Sequence, residues 1–330
     1  MSVLALDFMQ RALMAAVLTG LAAPAVGTYL VQRRLALMGD GIGHVALTGV
    51  ALGLLTGWAP IWTAVIVATA GAVAIELVRE RRRASADVAL AMLFYGGIAG
   101  GVLLVGLAGS TAATLNSYLF GSVTTVSVTD LWVIAVLAGV VLVLAIGLQP
   151  QLFAVCQDEE FARVTGLPVR AYNVLIAVMA AVTVTVAMRT VGLLLVSALM
   201  VVPVATAQQV SRGFRITLLL ALALGVAASV AGVVFSYYVD VAPGAAIVVI
   251  ALAGFVLAWP VASLLRRRRH LVTPVPESDE RLAGGHVAAE QHVHEHDEHC
   301  GHPGVPHDDH VDYLHEGHLH ARHGRHYDEH

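Results

Sequence analysis

The chain has 330 residues, of which 58% are hydrophobic and only 13% are charged. A water-soluble domain of this length cannot hide so much apolar surface, so the composition excludes a soluble domain and favours a membrane protein. The sequence contains no lysine. A nucleotide-binding P-loop needs its lysine, so we expect no ATPase activity from this chain by itself. Cys156 and Cys300 are too few and too far apart for a disulfide framework.

Nine apolar stretches have about the 20 residues that a helix needs to cross a bilayer. They cover residues 9–31, 35–56, 60–78, 86–108, 131–148, 171–188, 190–210, 215–236 and 243–264. Only Arg189 and Thr190 separate the sixth stretch from the seventh. The sequence therefore predicts an all-α polytopic protein with about nine transmembrane helices.

Arginine placement predicts the orientation of these helices. The arginines cluster after the first, third, fifth, seventh and ninth stretches, at residues 33–34, 79–83, 163–170, 212–215 and 266–269. All five clusters lie on one side if the chain crosses nine times. We therefore expect a multi-pass protein of the cell membrane, with its N-terminus outside and its C-terminus in the cytoplasm.

The composition also predicts three regions: a transmembrane domain over residues 1–265, a basic and polar linker over 266–285, and a tail over 286–330. The tail holds fourteen of the sixteen histidines, with ten Asp or Glu and two Arg. Imidazole binds zinc, copper and nickel, so we expect the tail to bind metal and to be disordered without it. The candidate ligands are His292, His294, His296, His299, Cys300 and His302. A solvated, pH-sensitive tail without a metal role is the alternative.

The second apolar stretch carries ionisable residues inside it. Asp40, His44 and Thr48 follow at intervals of four residues, which places them on one face of a helix. His44 lies roughly 15 Å beyond Arg34, near mid-bilayer, where an ionisable group is costly unless it faces a cavity or the bundle interior. An aspartate and a histidine one turn apart can hold a divalent cation transiently. We expect Asp40 and His44 to line an ion path; the alternative is a structural hydrogen bond between them.

Two charged segments lie on the expected cytoplasmic side. Residues 158–166 begin with three acids, carry an arginine in the last turn and end in glycine, which predicts a short capped helix. Glu76 and Asp87 flank the arginine-rich residues 79–83, and we interpret them as partners of those arginines.

Four segments resemble the permeases of zinc- and manganese-type ABC importers. Residues 37–44 resemble that family's second-helix signature, in which a histidine follows an aspartate by four positions. Residues 118–122 are similar to its aromatic-leucine-phenylalanine-glycine run, 161–169 to its coupling segment, and 191–203 to its seventh-helix motif. The resemblance covers most of residues 8–265. One departure is Thr48, which stands where the family usually has proline.

The resemblance implies a homodimer in the type II importer arrangement. It implies two cytoplasmic ATP-binding subunits, an extracytoplasmic metal-binding protein, and no permanent cofactor besides the transported ion. We expect Asp40 and His44 to lie along the path of the ion in such an importer. The resemblance also makes residues 158–166 a segment that docks on the ATP-binding subunit, through Glu160, Phe161, Arg163 and Gly166.

Other functions and metals stay open at this point. The histidine content favours zinc, with manganese and iron as alternatives. A secondary metal transporter or exporter would need carboxylates on several helices, whereas the deep ionisable residues are nearly confined to one. A membrane-bound enzyme is disfavoured because the spans contain no HExxH or comparable catalytic pair.

Overall fold

The computed structural model describes residues 6–80, 86–109, 118–121, 126–188, 191–211, 213–270, 287–288, 301–307, 310–315, 318–323 and 326–329. The chain divides into two units, Met1–Ser263 and Leu264–His330.

Apolar stretches become helices because a helix satisfies its own backbone hydrogen bonds where water is absent. In the described residues the helices are α1 (Asp7–Gln32), α2 (Met38–Thr56), α3 (Pro60–Glu80), α4 (Ala86–Leu107), α5 (Val128–Gly147), α6 (Gln149–Gln157), α7 (Glu159–Val164), α8 (Val169–Ala187), α9 (Leu193–Val210), α10 (Phe214–Val239) and α11 (Pro243–His270).

All nine predicted stretches correspond to helices, with α6 and α7 as two short additions. Within the described residues, eight helices are long and apolar enough to cross a membrane, and the ninth, in α9, is a shorter apolar segment, Leu195–Val210. The prediction of an all-α polytopic protein is therefore confirmed for the membrane-spanning part of the chain. The close boundary between the sixth and seventh stretches is a real break, because α8 ends at Ala187 and α9 begins at Leu193. Arg189 and Thr190 lie outside the described residues.

Helices α1, α2 and α8 form much of the interior of the first unit. In their membrane-length windows 72%, 61% and 61% of the residues are buried, against 22% in α4 and in α5. Small residues permit the inner packing: a Cβ on Gly20 of α1 would lie 2.8 Å from the carbonyl oxygen of Gly225 on α10. Outer helices instead expose large apolar side chains such as Leu103 and Val143, which suits a lipid environment.

The described residues of the tail carry strands where the sequence predicted disorder. The strands are β1 (Val287–Ala288), β2 (Gly304–His307), β3 (His310–His315), β4 (His318–His323) and β5 (His326–Glu329). They form an antiparallel sheet in the order β1-β5-β4-β3-β2. Two residues separate successive strands from β2 to β5, and these pairs contain Asp or Gly, as two-residue hairpins favour.

Candidate functional site

The two ionisable residues of α2 face different neighbouring helices. Asp40 is half-buried, and its Oδ1 accepts a hydrogen bond from Ser197 Oγ of α9 at 3.2 Å. His44 is only 8% exposed. Its ring packs edge-to-face on Phe94 of α4, with the ring centroids 4.5 Å apart. The two side chains therefore lie in the interior of the helical unit, next to α9 and α4.

The start of α9 lies deep beside α2. A Cβ on Gly39 would lie 3.3 Å from Met200 Sδ, and one on Gly43 would lie 3.5 Å from Leu193, the first residue of α9. From Gly43, α2 continues to Thr56, about 20 Å by the rise of an α-helix. From Met200, α9 continues in the opposite direction for about 15 Å. Asp40 and His44 thus lie well inside the depth that these helices span.

Glycines bring α4 against the backbone of α2. A Cβ on Gly97 would lie 2.6 Å from the nitrogen of Val45 and 2.9 Å from Cβ of His44. Thr48 Oγ1 donates a hydrogen bond to the carbonyl oxygen of Gly97 at 2.9 Å. A Cβ on Gly100 would lie 3.1 Å from the same hydroxyl oxygen. The face that bears His44 and Thr48 is therefore fixed by a backbone-to-backbone contact with α4.

Thr48, which stands where the family usually has proline, lies within an unbroken helix. Helix α2 is continuous from Met38 to Thr56. A proline at position 48 would remove a backbone donor and bend the helix. Threonine keeps that donor and adds a hydroxyl, which bonds Gly97 of the next helix.

Two of the four family-like segments meet at Gly192. This glycine has φ +86°, and a Cβ there would lie 2.5 Å from the nitrogen of Gly121 and from the carbonyl oxygen of Leu119. Residues 118–121 therefore pack directly on the turn that begins α9. Glycine is required because it alone combines this backbone conformation with the close approach.

The predicted docking segment, residues 158–166, forms the expected capped helix; we call it the docking segment. Asp158 Oδ1 accepts the backbone N–H groups of Glu160 and Phe161, both at 2.9 Å, and Gly166 has φ +85°. Phe161 is 62% exposed although it is apolar. Glu160, Arg163 and Gly166 are exposed as well. All four predicted docking residues are thus accessible on one short helix and its C-terminal turn.

Glu159, next to the predicted docking residues, belongs to a different cluster. Its Oε1 lies 2.7 Å from Arg33 Nη2 and 3.7 Å from Arg79 Nη2, and it accepts a hydrogen bond from Asn173 at 3.2 Å. Arg79 also contacts Glu76 at 2.6 Å, and Arg33 lies 3.7 Å from the same carboxylate. We call Arg33, Glu76, Arg79 and Glu159 the charge network.

The expected pairing of Glu76 with a nearby arginine is confirmed by Arg79. The side chain of Asp87 lies outside the described residues. The sequence did not identify the role of Glu159, because Arg33 is 126 positions away and no periodic pattern joins them.

The sequence model of the ABC 3 transport family matches residues 5–262. The chain belongs to the ABC 3 transport family. It is 36% identical to a manganese transport system membrane protein of Halalkalibacterium halodurans over 256 residues, covering 78% of this chain and 88% of the relative. A probable metal transport system membrane protein of Treponema pallidum is 35% identical over 262 residues, covering 79% and 98%.

A solved structure agrees with the family assignment. PsaBC from Streptococcus pneumoniae, in complex with Fab, is similar with a TM-score of 0.71 and 30% identity, covering 77% of this chain and 92% of that chain. A chelated iron transport system membrane protein of Yersinia pestis is 32% identical over 254 residues, covering 77% and 85%. The family resemblance seen in the sequence is confirmed: this is a multi-pass metal ABC permease.

A half-buried thiol, Cys156, lies beside the charge network of this ABC 3 permease. Cys156 is the penultimate residue of the short helix α6, outside the membrane-length helices. Burial raises the pKa of the Cys156 thiol to about 12, with Glu159 adding to the shift and Arg33 opposing it. A thiol with so high a pKa is expected to be protonated near neutral pH.

The structure describes little of the predicted metal ligands in the tail. His302 is described and half-buried. His292, His294, His296, His299 and Cys300 lie outside the described residues. Over the part of the chain that the structure does describe, no three His, Cys, Asp or Glu residues come together as a metal site.

Proposed function

We propose that this chain is the permease subunit of an ATP-driven importer for a divalent metal ion, and that the ion is zinc. The proposal is carried by one observation: Asp40 and His44 lie one turn apart on α2, inside the helical unit. An aspartate oxygen and an imidazole nitrogen both suit a divalent transition-metal ion. The hydrogen bond from Ser197 orients the carboxylate without neutralising its charge.

At this depth of α2 one chain offers two such ligands, Asp40 and His44, which are too few for a closed metal site. Within the described residues no group of three potential ligands forms. In the proposed homodimer, each subunit would contribute one such pair. A path with so few ligands favours release of the ion over its retention.

The proposed orientation and partners follow from the placement of charge. The arginine clusters and the docking segment share one side, which we assign to the cytoplasm. The exposed apolar Phe161 and the exposed charges of Glu160 and Arg163 are suited to a protein surface there. We propose that an ATP-binding subunit docks on this segment. An extracytoplasmic metal-binding protein would deliver the ion to the opposite face.

Zinc is favoured by the tail, and manganese by the relatives. Fourteen histidines in residues 286–330 provide many imidazole ligands for zinc. In the described strands, His307 and His310, His315 and His318, and His323 and His326 are register partners. Manganese is the second candidate, because similar proteins are named for manganese transport.

Metal accumulation in cells tests the cargo and the path together. A strain that lacks this permease is complemented with the unchanged chain, with Asp40→Asn and with His44→Leu, and each element is measured. We expect the unchanged chain to restore zinc and both variants to fail while still reaching the membrane. Asp7→Asn removes an exposed carboxylate of α1 and serves as the matched control.

The double variant Asp40→Leu/His44→Leu separates a path from a structural pair. If the two residues line the path, this variant is stable and inactive. If they only join helices, the apolar pair restores both stability and uptake, which contradicts the proposed path. Restoration of manganese instead of zinc contradicts the zinc assignment and leaves the permease assignment standing.

A further inference from the structure

The C-terminal end of α1 makes a hydrogen bond and an ion pair with residues at the start of the docking segment. Gln32 Nε2 donates a hydrogen bond to Gln157 Oε1 at 2.6 Å. The next residue, Arg33, binds Glu159 at 2.7 Å. Gln157 and Glu159 flank Asp158, the N-cap of α7. Gln32, the last residue of α1, and its C-cap Arg33 therefore contact the two residues that flank the start of α7.

The charge network has a buried end and an exposed end. The side chains of Arg33 and Glu76 are 4% exposed, whereas Arg79 is 22% and Glu159 is 42% exposed. The network contains two cations and two anions. If Glu159 moved away by itself, a buried arginine would lose its nearest counter-charge, which is costly in a low-dielectric interior. A displacement of Glu159 therefore favours a matching displacement of Arg33.

A short turn connects Arg33 to the candidate path. Arg34 has φ 59°, and the N–H of Leu35 donates to the carbonyl oxygen of Leu30 at 2.8 Å, so the turn is tightly closed. Helix α2 begins at Met38, and Asp40 lies in its first turn. Because this turn is short and hydrogen-bonded, a movement of Arg33 should be passed on to the start of α2.

We propose that the Arg33–Glu159 ion pair is the joint through which a movement of the docking segment reaches α2. Arg33 and Glu159 are then positioning residues: they touch neither the ion nor the ATP-binding subunit, but they transmit the displacement that moves Asp40 relative to Ser197. The proposal rests on the proposed function, in which an ATP-binding subunit moves the docking segment.

The test uses the full transporter, the permease with its ATP-binding subunit, in proteoliposomes. The double variant Arg33→Gln/Glu159→Gln removes both charges, leaves the Glu76–Arg79 pair balanced and avoids an unpaired buried charge. Zinc uptake and ATP hydrolysis are measured on the same vesicles. The matched control, Asp7→Asn/Arg215→Gln, removes one carboxylate and one guanidinium that are both exposed.

We expect the double variant to assemble and hydrolyse ATP while the zinc moved per ATP falls about tenfold, within the usual range of coupling between distant sites. The control should keep the ratio of the unchanged protein. A stable double variant that moves as much zinc per ATP as the unchanged protein would refute the proposed role of the Arg33–Glu159 pair. If the double variant does not assemble, Glu159→Gln, at the half-exposed end of the pair, is measured in the same way and judged by the same ratio.

A separate variant distinguishes failure of this joint from failure of the proposed docking. Phe161→Asp places a charge on the exposed face of the docking segment. If docking is correct, this variant loses the ATP-binding subunit on co-purification. Suppose that Phe161→Asp loses the subunit while Arg33→Gln/Glu159→Gln still moves the normal amount of zinc per ATP. The docking assignment then stands, and only the proposed role of the Arg33–Glu159 pair is refuted. Retention of the subunit with Phe161→Asp refutes the docking assignment.

Discussion

Replacing Gly97 by alanine should displace α4 from α2 and disturb the candidate path directly. The new Cβ would lie 2.6 Å from the nitrogen of Val45 and 2.9 Å from Cβ of His44. Ordinary contacts begin near 3.4 Å, so α4 must retreat by roughly 0.8 Å. The Thr48–Gly97 hydrogen bond, now 2.9 Å, would then exceed hydrogen-bonding distance.

The expected cost follows from these two changes. Overpacking typically costs about 1–3 kcal/mol, and the lost hydrogen bond about 1 kcal/mol. The better helix propensity of alanine returns about 0.5–1 kcal/mol. We expect Gly97→Ala to lower the free energy of unfolding by about 2 kcal/mol, which corresponds to roughly 5 °C in melting temperature. Uptake of the proposed metal cargo should fall as well, because the packing of α4 on His44 changes.

Gly96→Ala is the matched control because the two glycines are neighbours in α4. A Cβ on Gly96 would meet no atom within 4 Å. This variant should melt at or slightly above the temperature of the unchanged protein and transport normally. The assay is thermal denaturation of the purified protein, followed by size-exclusion chromatography. Equal melting temperatures for the two variants would refute the close approach of α4 to α2.

Three further predictions concern other parts of the chain. Cys156, whose pKa burial raises to about 12, should react with maleimide more slowly than a free thiol near neutral pH, because less of it is thiolate; a rate like that of a free cysteine would contradict the raised pKa. Gly192→Ala should abolish folded protein, whereas Gly57→Ala, with φ +75° but no atom within 4 Å, should cost only about 1–2 kcal/mol; similar yields would refute the packing of residues 118–121 on α9. A chain ending after Arg269 should still transport but bind several zinc ions fewer per chain, measured by calorimetry; unchanged zinc binding would exclude a metal role for the tail.

The amino-acid sequence by itself determined the positions of the helices. Apolar stretches of membrane length must form helices because backbone groups have no other partner in lipid, and this requirement is local. The cap of the docking segment is local too, since Asp158 binds N–H groups two and three residues away. The spacing of Asp40, His44 and Thr48 likewise fixed their shared helix face without reference to any other helix.

Tertiary structure alone decided which groups those residues meet. Ser197 reaches Asp40 across 157 positions, and Arg33 reaches Glu159 across 126. Such contacts depend on how helices cross and on which glycines admit a neighbouring backbone, as Gly97 admits α2. Helical periodicity repeats within one element and contains no information on the partner of its polar face. The path residues could therefore be proposed from the sequence, whereas the charge network became visible only once the helices were packed together.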